Sequence, residues 1–260
     1  MENKQEKKQE QNKIFAQFND KTIRVYQAFR DEIADEAVAL GKFGPHFRTG
    51  RMSWIKPSFL WMMYRSGWST KKGQERILAI DMEREGFNII LMQAVLSSFD
   101  KDIYGTYEKW KLKFESSEVR CQWDPDRDVY GNPLKRRAIQ LGLSGNILKR
   151  YKEEWIIKII DITNYVVNMR ESIKNGNFID SMLPTEKEYP VDSQTKIVLG
   201  IWGKLEKIPN TAIPTKNTIQ NPNCITTMPA ITIPRSEDLF PVMPCSAKMA
   251  TLFPEICISM

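Results

Sequence analysis

The sequence predicts an α+β protein: a mixed central sheet of at least five strands with packed helices, followed by an irregular proline-rich C-terminal tail. Three observations predict this. Through residue 176, β-branched and aromatic runs are mixed with stretches that place apolar residues at helical spacing. The strand-like runs are not separated by regular helices, which favours α+β over a doubly wound sheet. Ten of the fourteen prolines fall in residues 181–260, where they block helix and remove ladder donors.

The elements follow in order. Residues 1–20 are polar and of mixed charge, and are expected to be a disordered arm. "TIRVYQAF" (22–29) reads as a strand, and "RDEIADEAVALG" (30–41) as a helix with acids in its first turn and Gly41 as its stop. In "RMSWIKPSFLWMMYRSGW" (51–68), Pro57 suits a first helical turn. Six large side chains then run from Phe59 to Tyr64 and cover the whole helix circumference, so Phe59, Leu60, Met62 and Met63 are expected in the core. "ERILAIDM" (75–82) is a strand and "REGFNIILMQAVLSSF" (84–99) a helix. After a charged helix near 106–116, "VRCQW" (119–123) and "RAIQLGL" (137–143) read as strands. A helix at 144–154 is expected to be capped by Ser144. "WIIKIIDI" (155–162) is a strand, and 163–176 a helix capped by Thr163 and closed by Gly176. One domain at 21–178 and an irregular tail at 179–260 result, with a short strand expected at 195–202. On this reading a chain of residues 18–180 folds by itself.

Composition limits the function. The 260 residues are 42% hydrophobic and 27% charged, ordinary values for a globular protein. No apolar run reaches the roughly 18 residues that span a bilayer, so no membrane partner is expected. Cys121, Cys224, Cys245 and Cys257 form no CxxC pair, which predicts reduced thiols and a cytoplasmic setting. The net charge of +6 lies wholly in residues 1–180, because the rest carries seven basic and seven acidic side chains. A basic domain suits an anionic partner. His46 is the one histidine, which removes a multi-histidine zinc site. There is no phosphate-binding P-loop, no GxGxxG and no GxSxG elbow. "DPDRDVYGNPLK" (124–135) starts like a calcium loop, but has Val129 and Lys135 where glycine and glutamate are needed.

Three constellations remain. On the first strand, Arg24 and Tyr26 share a face and could present both side chains to a ligand. Around the buried helix, Trp54, Lys56, Arg65 and Trp68 combine aromatic faces with cations, a pairing that stacks a base and holds a phosphate. Gln122, Asp124, Arg127 and Asp128 lead into Arg136 and Gln140 on the next strand. There, carboxylates could orient a sugar hydroxyl and guanidinium groups could hold phosphate.

These same stretches carry a resemblance. "TIRVYQAF…EIADEAVALGKF", "RMSWIKPSFLWMMYRSGW", "GQERILAIDMEREGF", "VRCQWDPDRD", "AIQLGLSG" and "YKEEWIIKIIDIT" resemble the domain-of-unknown-function family numbered 4291 over about residues 20–176. That family name implies no activity. A strand ending in Tyr-Gln-Ala, a helix, then Gly41-Lys42-Phe43 also looks like the start of ADP-ribosyltransferase-like folds. This second likeness implies NAD in a cleft between strands, an arginine on the first strand and a glutamate on a late one. Arg24 fits the first role, with Tyr26 beside it; Gln140 stands where the glutamate is expected. The leading expectation is therefore a group-transfer enzyme acting on a nucleotide-like small molecule or NAD. Arg24, Tyr26 and Gln140 would be at its reacting centre, and Trp54, Lys56, Arg65, Trp68, Gln122, Asp124, Arg127, Asp128 and Arg136 would bind ligand. A nucleic-acid-binding module and a structural interaction protein are the alternatives.

Overall fold

Two larger sheets, antiparallel but for one pair, are built from the β-branched runs and are joined by one backbone bridge. In the computed structural model, which describes residues 11–201, β2 (Thr22–Phe29) pairs with β4 (Arg76–Glu83), and β4 with β8 (Ile156–Asp161). The second sheet has the order β3 (Ser53–Ile55), β7 (Pro133–Leu143), β6 (Val119–Arg127), β5 (Val95–Leu96), with only β5–β6 parallel. The α+β class is observed. The strands are divided between these sheets instead of forming one continuous surface. Tyr26 and Lys56 exchange both backbone hydrogen bonds, at 2.7 and 3.2 Å, and form the one bridge between β2 and the strand end after β3. On the Gln27 and Trp54 side of that bridge the two strands separate.

Both faces of the three-stranded sheet are covered. Ile23, Val25 and Phe29 join Leu78, Ile80 and Met82 in the main core. α1 (Asp31–Leu40), α3 (Arg84–Met92) and α6 (Gly145–Arg150) pack into the same core, as do Cys121, Ile139 and Leu141 of the second sheet. The opposite face holds a smaller core of Tyr26, Ile77 and Ala79 with α2 (Phe59–Ser66) and α7 (Thr163–Lys174). Phe59, Met62 and Met63 are buried there, as the run of large side chains predicts. Leu60 is only half-buried and Tyr64 is exposed, because one side of α2 borders solvent.

Several expected boundaries move, each for a visible reason. The helix expected at 84–99 ends at Met92, and Val95–Leu96 pairs with Arg120 and Cys121 as β5. Ser144 does not cap α6 with its side chain. The Glu118 carboxylate does so, accepting from Asn146 N–H at 2.9 Å and Ile147 N–H at 3.0 Å. A π-helical turn, Tyr151–Trp155, then leads into β8. Thr163 begins α7, but its hydroxyl accepts from Ile77 N–H and does not cap the helix.

The segments outside 21–178 are part of the fold where they are described. Ile14 and Ala16 are buried, and β1 (Phe15–Ala16) pairs with β9 (Lys187–Glu188). The strand expected at 195–202 is instead α8 (Ser193–Leu199): Asp192 caps it through Thr195 N–H at 2.9 Å, and Gly200 ends it with φ 65°. The β-branched residues there fit a helix because the caps fix its ends. Residues 1–10 and 202–260, which include most of the proline-rich tail, lie outside the described residues.

Candidate functional site

Where β2 and β3 separate, a cleft of 840 Å³ opens. Its floor is a row across the second sheet. The β3–β7 register ends with Ile55 opposite Leu141, next to Lys56 and Gln140 in the chain, and Gln140 pairs with Gln122. Gln27 closes the floor from the β2 side. Its amide nitrogen donates to Ser53 Oγ at 2.9 Å and to the Trp54 carbonyl at 3.3 Å, while its carbonyl accepts from Tyr151 Oη at 2.9 Å. Trp54 lies against Gly142, where an added Cβ would come within 3.0 Å of the indole and 2.6 Å of Met52 Sδ. Glycine at 142 therefore sets the depth at which Trp54 sits.

The loop of residues 41–52 forms another wall. Phe43 and Phe47 stack at 4.1 Å and both meet Phe29 edge-on, which anchors the loop on the core. From this anchor Arg48 and Arg51 reach the cleft, together with Arg30 before α1 and Arg65 at the end of α2. Four arginines, Lys56 and His46 thus line the cleft, and no aspartate or glutamate does. Glu32 pairs with Arg30 at 3.1 Å and Glu36 with His46 at 2.9 Å, both from α1. Among the described residues no ion pair engages Arg48, Arg51 or Arg65.

Lys56 is the buried cation of this set, only 7% exposed. Its Nζ donates to the Trp54 carbonyl at 3.3 Å. Burial lowers its pKa to about 7; the Arg65 charge lowers it further and Asp124 opposes. Asp124 is committed elsewhere. One oxygen accepts from Gln122 Nε2 at 2.9 Å and the other from Gln140 Nε2 at 2.7 Å. These bonds fix both amides with nitrogen toward Asp124, which leaves their carbonyl oxygens as acceptors for a ligand.

The structure therefore brings Trp54, Lys56, Arg65, Gln122 and Gln140 together, with Asp124 directly behind the two amides. The other expected residues stand apart from the cleft. Arg24 and Tyr26 are on the opposite face of β2 from Gln27. Arg24 pairs with Asp81 through two bonds of 2.7 and 2.8 Å. Tyr26 is buried edge-on against Phe59 and donates to Gln17, and burial raises its pKa far above the ordinary phenol value. Arg136 binds buried Asp126 at 2.7 Å and covers the Phe15 ring. Arg127 stacks on Tyr64, and Asp128 organises the β6–β7 turn by accepting from Tyr130 and Asn132 N–H. Trp68 meets Phe59 edge-on, and its carbonyl accepts from Arg170.

Sequence reasoning missed Gln27, Arg30, Arg48 and Arg51. The available signal was the two-arginine, glycine-punctuated stretch "GPHFRTGRM", which has no helical or strand period. No group of three or more metal-ligating side chains is poised for a metal among the described residues. No helix there is long and apolar enough to cross a membrane. With this geometry in place, comparison with known families gives one match: the model for Domain of unknown function (DUF4291) covers residues 13–189. No curated protein matches. The chain belongs to the DUF4291 family.

Proposed function

We propose that this member of the DUF4291 family binds a nucleotide-like small molecule in the cleft between β2 and β3 and transfers a group from it. The observation that carries this reading is the lining of the cleft: four arginines and a buried lysine beside an indole, with no carboxylate among them. The volume of 840 Å³ lies in the range of small-molecule and cofactor sites. Arg48, Arg51 and Arg65 supply planar guanidinium donors for phosphate oxygens. Trp54 offers a face for a base. The Gln122 and Gln140 carbonyls accept from amino or amide N–H groups.

NAD is the finer candidate, with ADP-ribosyl transfer as the reaction, because it combines a diphosphate, two rings and a carboxamide. On this reading Gln140 contacts ligand but cannot serve as the base that a glutamate would provide. Calorimetric titration with NAD, ATP, GTP and a short RNA tests the proposal. The expected result is saturable binding of a nucleotide, weakened about 10- to 100-fold by Arg51→Ala, since a charge-assisted contact contributes about 1.5–3 kcal/mol. Binding of RNA alone would replace the proposal with a nucleic-acid module. No binding of any of the four would overturn it.

A further inference from the structure

Lys56 is placed differently from the other cations of the cleft. The arginines sit at its rim, exposed, whereas Lys56 lies at the floor and is buried. Its backbone N–H and carbonyl are both bonded to Tyr26, which anchors the backbone at this position. Its amine has one hydrogen bond, to the Trp54 carbonyl at 3.3 Å, and no carboxylate within ion-pair distance among the described residues. Arg65 from α2, Gln140 from β7 and Gln122 from β6 line the cleft with it, as do Arg48 and Arg51 from the loop of residues 41–52. Asp124 from β6 is the nearby anion, and both its oxygens are held by the two glutamine amides. A buried ammonium without a counter-ion is unfavourable, so a large share of the amine is neutral at neutral pH in the free protein. A neutral amine lining the same cavity as the rim arginines has a lone pair available to a ligand that they hold. Desolvation beside a second cation is a known means of activating a lysine nucleophile.

We propose that Lys56 is a nucleophile that forms an imine with a phosphorylated aldehyde or ketone bound in the cleft. The proposal rests on the reading of the cleft as a phosphate site and adds a covalent step to it. The Nζ lone pair adds to the carbonyl carbon and forms the C–N bond, while the carbonyl π electrons move to oxygen. That oxygen takes a proton from the nitrogen, and the carbinolamine hydroxyl then leaves as water after a second proton transfer. The nitrogen lone pair forms the C=N bond as that water departs, and the resulting iminium loses its last N–H proton to solvent, which returns the proton used to expel the water. One water is released for each imine, and no oxidant or reductant is required. Burial places the Lys56 pKa at about 7, so the amine is substantially unprotonated at neutral pH, where an exposed lysine is not.

The test uses the full chain and pyridoxal 5′-phosphate, which carries an aldehyde and a phosphate. The protein is incubated with it at pH 7, reduced with sodium borohydride, digested and mapped by mass spectrometry. Lys56 is expected to be labelled at least about ten times faster than any other lysine. Inorganic phosphate and ATP should slow that labelling, and Lys56→Arg should remove it without changing the rates elsewhere. Arg65→Gln, at an exposed position, serves if the lysine variant does not fold. Methylation of Lys56 by formaldehyde and borohydride should then reach half-maximal rate at a higher pH than in the parent protein. Labelling of Lys56 no faster than surface lysines would overturn the proposal, as would an unchanged pH midpoint in Arg65→Gln. Rapid labelling without protection by phosphate or ATP would keep the nucleophile and discard the phosphate site. Calorimetric binding of ATP with Lys56 unlabelled would do the reverse.

Discussion

Replacing Arg24 by methionine removes one half of an ion pair that holds β2 to β4, and it separates stability from ligand binding. Arg24 Nε and a terminal nitrogen donate to the two oxygens of Asp81 at 2.7 and 2.8 Å. The side chains are 27% and 20% exposed, so solvent screens the pair only in part. The hydrogen bond to Asp81 is the main cause of the raised Arg24 pKa. The variant leaves the Asp81 carboxylate half-buried without that partner. With screening allowed for, the cost is about 1–3 kcal/mol. For a domain of this size, roughly 2–4 °C is lost per kcal/mol, so the melting temperature should fall by about 2–12 °C. Adding Asp81→Asn to the same chain should recover part of the loss, because the unpaired charge is then gone. Nucleotide affinity should stay unchanged in both variants, since Arg24 lies on the face of β2 opposite Gln27. Thermal scanning with a parallel calorimetric titration reads both quantities. An Arg24→Met protein that melts normally but loses nucleotide binding would refute this assignment and return Arg24 to the site.

Three further outcomes follow from the packing. Phe59→Ala and Met63→Ala each remove a fully buried side chain of the smaller core and should cost about 2–5 kcal/mol in denaturant unfolding. Glu186 accepts from Phe59 N–H at 2.6 Å, and burial raises its pKa to about 8, with Asp126 adding to the effect and Arg136 opposing it. Between about pH 4.5 and 8 the folded protein therefore keeps a proton there that the unfolded chain has already released. Stability is lost across that window as pH rises, and Glu186→Gln should melt progressively higher than the parent from pH 5 to 8; parallel pH profiles would count against it. Cutting the chain to residues 18–180, harmless on the proline pattern alone, removes Ile14, Ala16, Tyr189 and Leu199 from the main core. That protein should be insoluble or melt well below the full chain, and a cooperative transition at the parent temperature would show the flanking segments to be unimportant.

What the sequence reveals depends on where the information is local. The strands β2, β4 and β8 are legible because their β-branched runs are long and bounded. Which face of β2 bears the site is not legible. Ile23 and Val25 are buried on one face and Tyr26 on the other, so alternation of burial cannot distinguish them. Arg24 was the visible candidate, yet Gln27 faces the cleft, because the strands separate only beyond the Tyr26–Lys56 bridge. That bridge joins residues thirty apart and no local pattern announces it. Trp54, Lys56, Arg65, Gln122 and Gln140 were recognisable as polar or aromatic groups around apolar runs, and tertiary pairing brings them together. Arg48 and Arg51 were hidden in a loop whose position is set by Phe43 and Phe47 stacking on the core. Arg136 looked free in the sequence, but its partner Asp126 stands across the β6–β7 hairpin. The fate of 195–202 shows the same limit: "TKIVL" has strand propensity, while Asp192 and Gly200 at its ends make it a helix.

The central claim is that the cationic cleft holds the phosphates of a nucleotide-like ligand. A crystal structure of the full chain soaked with NAD, and in parallel with ATP, tests it most directly. The account predicts phosphate oxygens within hydrogen-bond distance of at least two of Arg48, Arg51 and Arg65, with a ring against Trp54. Ligand density on another face of the protein, or an empty cleft at a concentration that saturates binding in solution, would contradict it.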